Sequence, residues 1–257
     1  SLRADALVPE LLETLRRSGV RTATIAPDAG SERMRRVINK GIDEAAILDA
    51  AETLVAAGIP NLKLYFMVGL PTEETADVEA IVTLCKRIKH RFLESSRTRG
   101  RMGEITVSLN SFVPKPVTPF QWAAMDEVAV LKRKIRAVKE GLKRLPNIRL
   151  HPDVPRHAYF QALLSRGDRR VAGILAALHQ NDGNWATTLK SSPVNADFFV
   201  VRARAEDELL PWDFIDHGIS KSFLLREYRR ALDGIASPPC PMADGCTQCG
   251  VCRQSSP

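Results

Sequence analysis

The sequence predicts an α/β fold, in which parallel β-strands alternate with α-helices, and two observations carry that prediction. Three strand-like runs, "RTATIA" (21–26), "LKLYFMVG" (62–69) and "ITVSLNSFV" (105–113), begin about 40 residues apart. Amphipathic helical patterns fill the intervals between them. A strand, a helix and a second strand at this spacing form a right-handed crossover, which makes neighbouring strands parallel.

The helical patterns between the strands have recognisable ends and apolar faces. Asp43 is predicted to cap the first of them, and Gly58 follows its last turn. A second pattern places apolar residues at helical spacing from Val78 to Ile88, and a third runs through residues 128–145 along a basic helix. We expect each helix to pack its apolar face on the sheet.

The number of strands predicts part of a barrel rather than a complete one. Only three or four strands can be counted, and "SLRAD" at residues 1–5 is similar to the end of another strand. Parallel sheets normally have both faces covered. We therefore predict a partial (β/α) barrel in residues 1–147. The alternation stops near residues 145–151, so residues 148–236 are predicted to form a helical module and residues 237–257 a cysteine-rich tail.

Composition and charge exclude some classes of protein. The chain has 257 residues, of which 44% are hydrophobic and 26% charged, as expected for a soluble globular protein with a sizeable core. No apolar run is long enough to span a membrane. The net charge is +7, and part of it lies in residues 86–101. That basic stretch is a candidate contact for RNA, although a solvated helix end and a mobile loop are the simpler explanation.

Each predicted strand is followed by residues suited to ligand binding, and parallel α/β folds bind ligands at the carboxyl ends of their strands. A carboxylate there suits a ribose diol, a glycine backbone suits the edge of an adenine, and a cation suits a carboxylate. The structural alternatives are a helix N-cap for the acidic and hydroxyl residues, a routine turn for the glycines, and an exposed lysine without a role. The candidates are Asp28, Gly30, Ser31, Arg33, Gly69, Leu70, Pro71 and Lys115.

Taken together, "APDAGSERMRRVINKG", "LKLYFMVGLPTEE" and "SFVPKPVTPFQW" resemble radical SAM enzymes, more narrowly the radical SAM proteins with a B12-binding domain. The resemblance extends over essentially the whole chain, including "CTQCGVCR". It implies a TIM-like radical SAM barrel and an iron–sulfur enzyme that cleaves S-adenosylmethionine to a 5′-deoxyadenosyl radical. A cobalamin bound by an upstream domain would assist the reaction. The substrate and the catalytic residues are not implied.

The resemblance also assigns roles and shows two departures from the family pattern. Asp28 and Ser31 would line the S-adenosylmethionine site, and Gly69–Pro71 would correspond to the strand end that contacts adenine. The family usually has Glu where this chain has Asp28. The C-x3-C-x2-C motif that holds the [4Fe-4S] cluster is absent. We therefore expect a fragment of a longer enzyme that is inactive as given. The alternatives are a degenerate scaffold paralogue, or a non-catalytic nucleic-acid or protein-binding module with a zinc knuckle.

The five cysteines fall into two groups. Cys85 lies on the apolar face of a predicted helix and is expected to be a core residue. Cys240, Cys246, Cys249 and Cys252 have two consecutive C-x2-C spacings, which is typical of a metal site. An auxiliary iron–sulfur cluster fits this spacing slightly better than zinc, and redox-active thiols are a further alternative. No cysteine pattern of a secreted protein is present, which predicts a reducing compartment and a cytoplasmic location.

Overall fold

The computed structural model describes residues 2–97, 103–242 and 246–254, and the chain divides into two compact units. The first unit comprises the described residues of Ser1–Ser111, Ala129–Val154 and Gly234–Ala236. The second comprises those of Phe112–Val128, Pro155–Asp233 and Ser237–Pro257. Within the described residues, no helix combines the length and the hydropathy needed to cross a membrane.

The first unit is an α/β structure built on four strands. Its strands are β1 (Thr22–Asp28), β2 (Asn61–Val68), β3 (Ile105–Ser111) and β4 (Ile148–Pro152). Its helices are α1 (Pro9–Arg17), α2 (Glu32–Val37), α3 (Glu44–Ala56), α4 (Thr75–Arg97) and α5 (Val128–Leu142, from Ala129 onward), with a 3-10 turn at Ala4–Ala6. The order of these elements confirms the predicted α/β class.

The four strands form one sheet in the order β1-β2-β3-β4, and all three pairings are parallel. This is the order of neighbouring strands in a (β/α) barrel, and here the described strands form an open sheet. Leu2 makes a single parallel bridge to Ile25 beside β1, which is consistent with the strand-like character expected of residues 1–5.

The two faces of the sheet differ in burial. On one face, apolar side chains alternate along the strands and lie in register across them, as Leu64 does with Ile25 and Val107. All three are completely buried, and the buried stripes of α3, α4 and α5 supply the rest of this core. The other face is partly exposed and mainly polar, with Lys63 on β2 and Arg149 on β4 in its rows.

The fourth strand corrects the predicted organisation. Residues 148–152 were expected to begin the helical module, but they form β4, which pairs with β3 from Ile148 to Pro152. Every residue of this strand is at least partly exposed. Pairing with β3 therefore decides its conformation, because the alternation of Ile148, Arg149, Leu150 and His151 is short and ends at Pro152.

The second unit contains only helices and turns among its described residues. The helices are α6 (Pro155–Arg166), α7 (Val171–Gln180), α8 (Trp185–Ser191), α9 (Asp197–Val200) and α10 (Lys221–Leu232), with 3-10 turns at Pro119–Trp122 and Val251–Gln254. One of its apolar clusters is formed by Trp122, Leu210, Trp212 and Leu224. The indole N–H of Trp212 donates to the side-chain oxygen of Gln121 over 2.6 Å, so that a buried polar pair joins the cluster.

A buried arginine holds the second unit together. Arg166 is completely buried, and its guanidinium donates to the backbone carbonyls of Phe199 (2.9 Å) and Ala123 (2.6 Å). Burial, followed by repulsion from Arg204 and Arg202, lowers the pKa of Arg166 to about 10. The segment 112–128 is thereby fixed to α6 and α9, although it directly follows β3 in sequence.

Candidate cofactor-binding edge of the sheet

The carboxyl end of β1 has an irregular backbone that redirects Asp28. The register of β1 against β2 shifts between Ile25 and Asp28, and Asp28 has a φ of 63°. Aspartate tolerates this left-handed conformation better than most residues. The Asp28 carboxylate pairs with the ammonium of Lys40 at 2.5 Å, and each side chain is 25% exposed. Asp28 is therefore the last residue of a strand and remains accessible to a ligand.

The carboxyl end of β2 is a tight turn that requires glycine. Gly69 has a φ of 84°, a left-handed conformation that glycine adopts without steric cost. Its N–H donates to Glu73 Oε2 over 2.7 Å, and the same oxygen lies 2.8 Å from Lys134 Nζ. Leu70 is buried in the core and Pro71 is half-buried. The turn after β2 is thus anchored to α5 by a carboxylate that is only 2% exposed.

Asp77, in the first turn of α4, joins the loops that follow β1 and β2. It accepts hydrogen bonds from the Ser31 hydroxyl (2.6 Å), the Glu74 N–H (2.8 Å) and the Arg33 guanidinium. Arg33 also donates to the carbonyl oxygen of Thr72 over 2.7 Å. Burial alone would raise the pKa of the Asp77 carboxyl, but the hydrogen bonds from Arg33 and Ser31 outweigh burial and lower that pKa.

These contacts give Ser31 and Arg33 structural roles. The Ser31 oxygen accepts from the Met34 N–H over 3.1 Å and caps α2, which was the structural alternative for this residue. Asp28, by contrast, caps no helix. Arg33 uses its guanidinium on Asp77 and Thr72. A contact between either residue and a cofactor stays a prediction.

Arg35 is a site residue that the sequence analysis missed. It is 1% exposed, and its guanidinium donates to the carbonyls of Ala29 and Gly30, both over 3.1 Å, and to that of Ile42 over 3.1 Å. These hydrogen bonds therefore hold the loop between β1 and α2 from its buried side. Its sequence context, "ERMRRV", does not distinguish it from the exposed Arg36 beside it, so no local signal marks the role.

Gly30 lies directly against the backbone of α4, and we expect Gly30→Ala to destabilise the first unit by about 1–3 kcal/mol because overpacking a tight contact has that cost. An added Cβ would lie 2.2 Å from the Ile81 nitrogen and 2.5 Å from the Ala80 carbonyl carbon. Urea unfolding followed by circular dichroism measures the change. Gly173→Ala is the matched control, since its Cβ would meet nothing within 4 Å; equal stability of both variants would contradict the prediction.

Lys115 lies in the second unit, on the segment that leaves the end of β3. It is partly buried, which lowers the pKa of its ammonium below the ordinary value. Three strand ends were predicted to form one binding edge. The ends of β1 and β2 lie in the first unit, whereas the segment with Lys115 lies in the second. A contact between Lys115 and a cofactor stays a prediction.

The residues of the first unit fit S-adenosylmethionine in part and do not fit an iron–sulfur cluster. The Asp28 carboxylate is a partly exposed acceptor suited to ribose hydroxyls. Cys85 is the one cysteine of this unit, and burial raises the pKa of its thiol to about 12. A completely buried thiol of that kind does not supply the thiolate that a cluster needs. This confirms that Cys85 is a core residue.

The four C-terminal cysteines lie near one another without forming a recognisable metal site. Desolvation and then the neighbouring thiols of Cys246, Cys249 and Cys240 raise the pKa of Cys252. In the part of the chain that the structure describes, no three His, Cys, Asp or Glu side chains are arranged to hold a metal ion. The other three thiols are thus close enough to raise the pKa of Cys252, but the four are not in ligand geometry, and the metal site stays a prediction.

The basic stretch 86–101 is described only as far as Arg97; residues 98–101 lie outside the described residues. Two of its cations form ion pairs with α3, Arg87 with Glu44 and Arg91 with Glu52. Those pairs favour a solvated helix face over a free nucleic-acid surface. RNA binding stays a prediction that no contact here tests.

The comparisons with known proteins agree with the geometry of the first unit. The family model of the Radical SAM superfamily matches residues 1–85, a segment that contains β1, β2 and the beginning of α4. An uncharacterized protein of Methanocaldococcus jannaschii is 35% identical over 175 residues, which are 68% of this chain and 36% of that relative. The resemblance to radical SAM proteins is thus confirmed at the superfamily level for the matched residues.

The match supports the superfamily and does not test the finer predictions. A radical SAM domain implies S-adenosylmethionine and a [4Fe-4S] cluster, and it does not favour a non-catalytic binding module. The matched segment of the relative is about a third of its length. The B12-binding subgroup, cobalamin and the substrate are therefore matters of proposal.

Proposed function

We propose that the chain is part of a radical SAM iron–sulfur enzyme that binds S-adenosylmethionine at the carboxyl ends of β1 and β2. The observation that supports the proposal is the superfamily match over residues 1–85, which includes both strand ends. In such an enzyme the cluster supplies the electron that cleaves the cofactor to methionine and a 5′-deoxyadenosyl radical. The substrate class is open.

The residues of this chain bind and orient the cofactor. Asp28 accepts hydrogen bonds from the ribose hydroxyls, and the backbone of Gly69–Pro71 approaches the adenine edge. Ser31 and Arg33, held by Asp77, keep the two loops at a fixed separation. Each of these roles is assigned from the chemistry of the residue and not from a contact with a bound cofactor.

The chain has no C-x3-C-x2-C motif, so none of its described residues is proposed to hold the main cluster. We therefore assign no reaction step at that cluster to the residues of this chain. Cobalamin assistance is part of the proposal on the strength of the resemblance to B12-binding radical SAM proteins. The four C-terminal cysteines hold an auxiliary centre, with iron–sulfur preferred to zinc on spacing.

The cofactor site is tested by Asp28→Asn, a change that keeps the tolerance for positive φ and removes the charge. We expect the variant to bind S-adenosylmethionine about tenfold more weakly in isothermal titration calorimetry, since a hydrogen bond to a charged group contributes about 1.5–3 kcal/mol. Asp49→Asn is the control, because Asp49 is exposed on α3. Equal affinity of both variants, or no saturable binding at millimolar concentration, would refute the site.

The tail is tested by its metal content after anaerobic reconstitution of the full chain with iron and sulfide. We expect bound iron and a visible absorption band, both lost in Cys246→Ser and Cys249→Ser because each removes a thiolate ligand. Cys85→Ser is the matched control, since Cys85 is buried in the first unit. Stoichiometric zinc without iron would favour a zinc knuckle instead, and neither metal would refute the centre.

A further inference from the structure

A groove of about 180 Å³ opens in the second unit between α6 and α8. It involves none of the residues assigned to the sheet edge or to the cysteine tail. Its walls are apolar throughout, as small-molecule sites predominantly are, and Arg156 contributes the aliphatic part of its side chain to them. The main lining residues are Val128, Arg156, Tyr159, Phe160, Trp185 and Leu189.

The aromatic wall of the groove contains a stacked pair of rings, which leaves the outer faces and the edges of the pair for a ligand. The rings of Phe160 and Trp185 are stacked with their centroids 4.0 Å apart and their planes 15° from parallel. The Tyr159 hydroxyl donates to Asp197 Oδ1 over 2.6 Å, so the ring of Tyr159 rather than its hydroxyl is left for a ligand. A planar, apolar group matches this wall, because offset stacking adds to the area that is removed from water.

Arg156 provides the one cation of the groove. It is exposed, and in the described part of the chain its guanidinium has no ion-pair or hydrogen-bond partner. It also lies in the first turn of α6, where the helix dipole adds positive potential. Two other exposed arginines of the same unit are paired, Arg170 with Asp168 and Arg229 with Glu206. A free guanidinium beside an apolar wall suits a planar carboxylate, which it can bind through two parallel N–H···O bonds.

We propose that this groove binds a small aromatic carboxylate, with its ring against Phe160 and Trp185 and its carboxylate on Arg156. The ligand is an anion with one polar end, because the remaining walls offer little that could pair with a second polar group. The Asp197 carboxylate, which is engaged with Tyr159, is the acidic group that most directly opposes an anion here. The proposal does not depend on S-adenosylmethionine binding by the first unit.

The test compares 2-naphthoate with the neutral 2-naphthamide by isothermal titration calorimetry on the full chain. We expect the carboxylate to bind about tenfold more tightly, as a charge-assisted bidentate pair provides. Arg156→Gln removes that preference. Arg169→Gln is the matched control, because Arg169 is an exposed arginine of the same unit that does not line the groove, and it leaves the preference unchanged.

A second variant tests the aromatic wall. Trp185→Leu keeps an apolar side chain and removes the stacked face, so both probes lose affinity while the circular dichroism spectrum stays that of the wild type. Four results overturn the proposal: no saturable binding of 2-naphthoate at millimolar concentration, equal affinity of the two probes, tighter binding of octanoate, or tighter binding of 2-naphthylmethylamine. The last two would identify an acyl site and a cation site, respectively.

Discussion

Replacing Asp77 by alanine is expected to destabilise the first unit by about 2–4 kcal/mol. The side chain is 7% exposed, and its removal leaves the Ser31 hydroxyl and the Glu74 N–H without their acceptor. Breaking a buried charged pair typically costs about 3–5 kcal/mol, and the lower end applies because Arg33 is 38% exposed and water can solvate it. Hydrogen–deuterium exchange of peptides from β1 and β2 measures the change where it occurs.

Asp77→Asn removes the charge of the side chain and keeps its shape. Comparing it with the wild type shows how the contribution of Asp77 to stability depends on pH. The pKa of Asp77 is lowered in the folded state, so its contribution is present above the unfolded pKa, about 3.9, and is lost as the pH falls through the folded value. The stability difference between wild type and Asp77→Asn therefore shrinks on acidification. The control is Asp49→Ala on the exposed side of α3; a loss as large as that of Asp77→Ala would mean that burial and pairing are irrelevant.

Arg166→Ala is expected to destabilise the second unit by about 3–5 kcal/mol. The change leaves the carbonyls of Phe199 and Ala123 without donors, at about 1–3 kcal/mol for each buried group, and it also opens a cavity. Relief of the buried charge offsets part of this loss. All three tryptophans, Trp122, Trp185 and Trp212, lie in the second unit, so fluorescence during urea unfolding reports on that unit alone.

The control for Arg166→Ala is three residues further along the chain. Arg169→Ala removes an exposed arginine, and surface changes of this kind usually alter the free energy of unfolding by less than about 0.5 kcal/mol. A fluorescence midpoint for Arg166→Ala equal to that of Arg169→Ala would show that the guanidinium does not hold the segment 112–128 in place.

Local signals in the sequence predicted the elements that local chemistry decides. Asp43 caps α3 by accepting from the Ala46 N–H over 2.7 Å, and Gly58, with a φ of 99°, follows the end of that helix. The three strand-like runs became β1, β2 and β3 within two residues of their expected ends. Caps, left-handed glycines and apolar alternation act within a few residues, so the sequence shows them directly.

The residues that organise the candidate site were not predictable in this way. Asp77 is bonded to Ser31 and Arg33, which lie 46 and 44 positions away. Arg35 and Arg166 stand in sequence among exposed arginines, and only the folded chain shows that carbonyls surround them. Such pairings depend on which loops the sheet brings together. The position of Asp28 and Gly69 at the ends of strands was therefore visible in the sequence, but the supports of their loops were not.

The two faces of the sheet constrain substitutions along the same strands in different ways during evolution. Substitutions at Leu64 or Val107 enlarge or crowd the core and threaten folding. Substitutions at Lys63 or Arg149, on the partly exposed face, change charge and hydrogen bonding with little effect on packing. Each strand thus alternates between positions that must be kept and positions free to vary, and new specificity can arise on this scaffold one side chain at a time without loss of the fold.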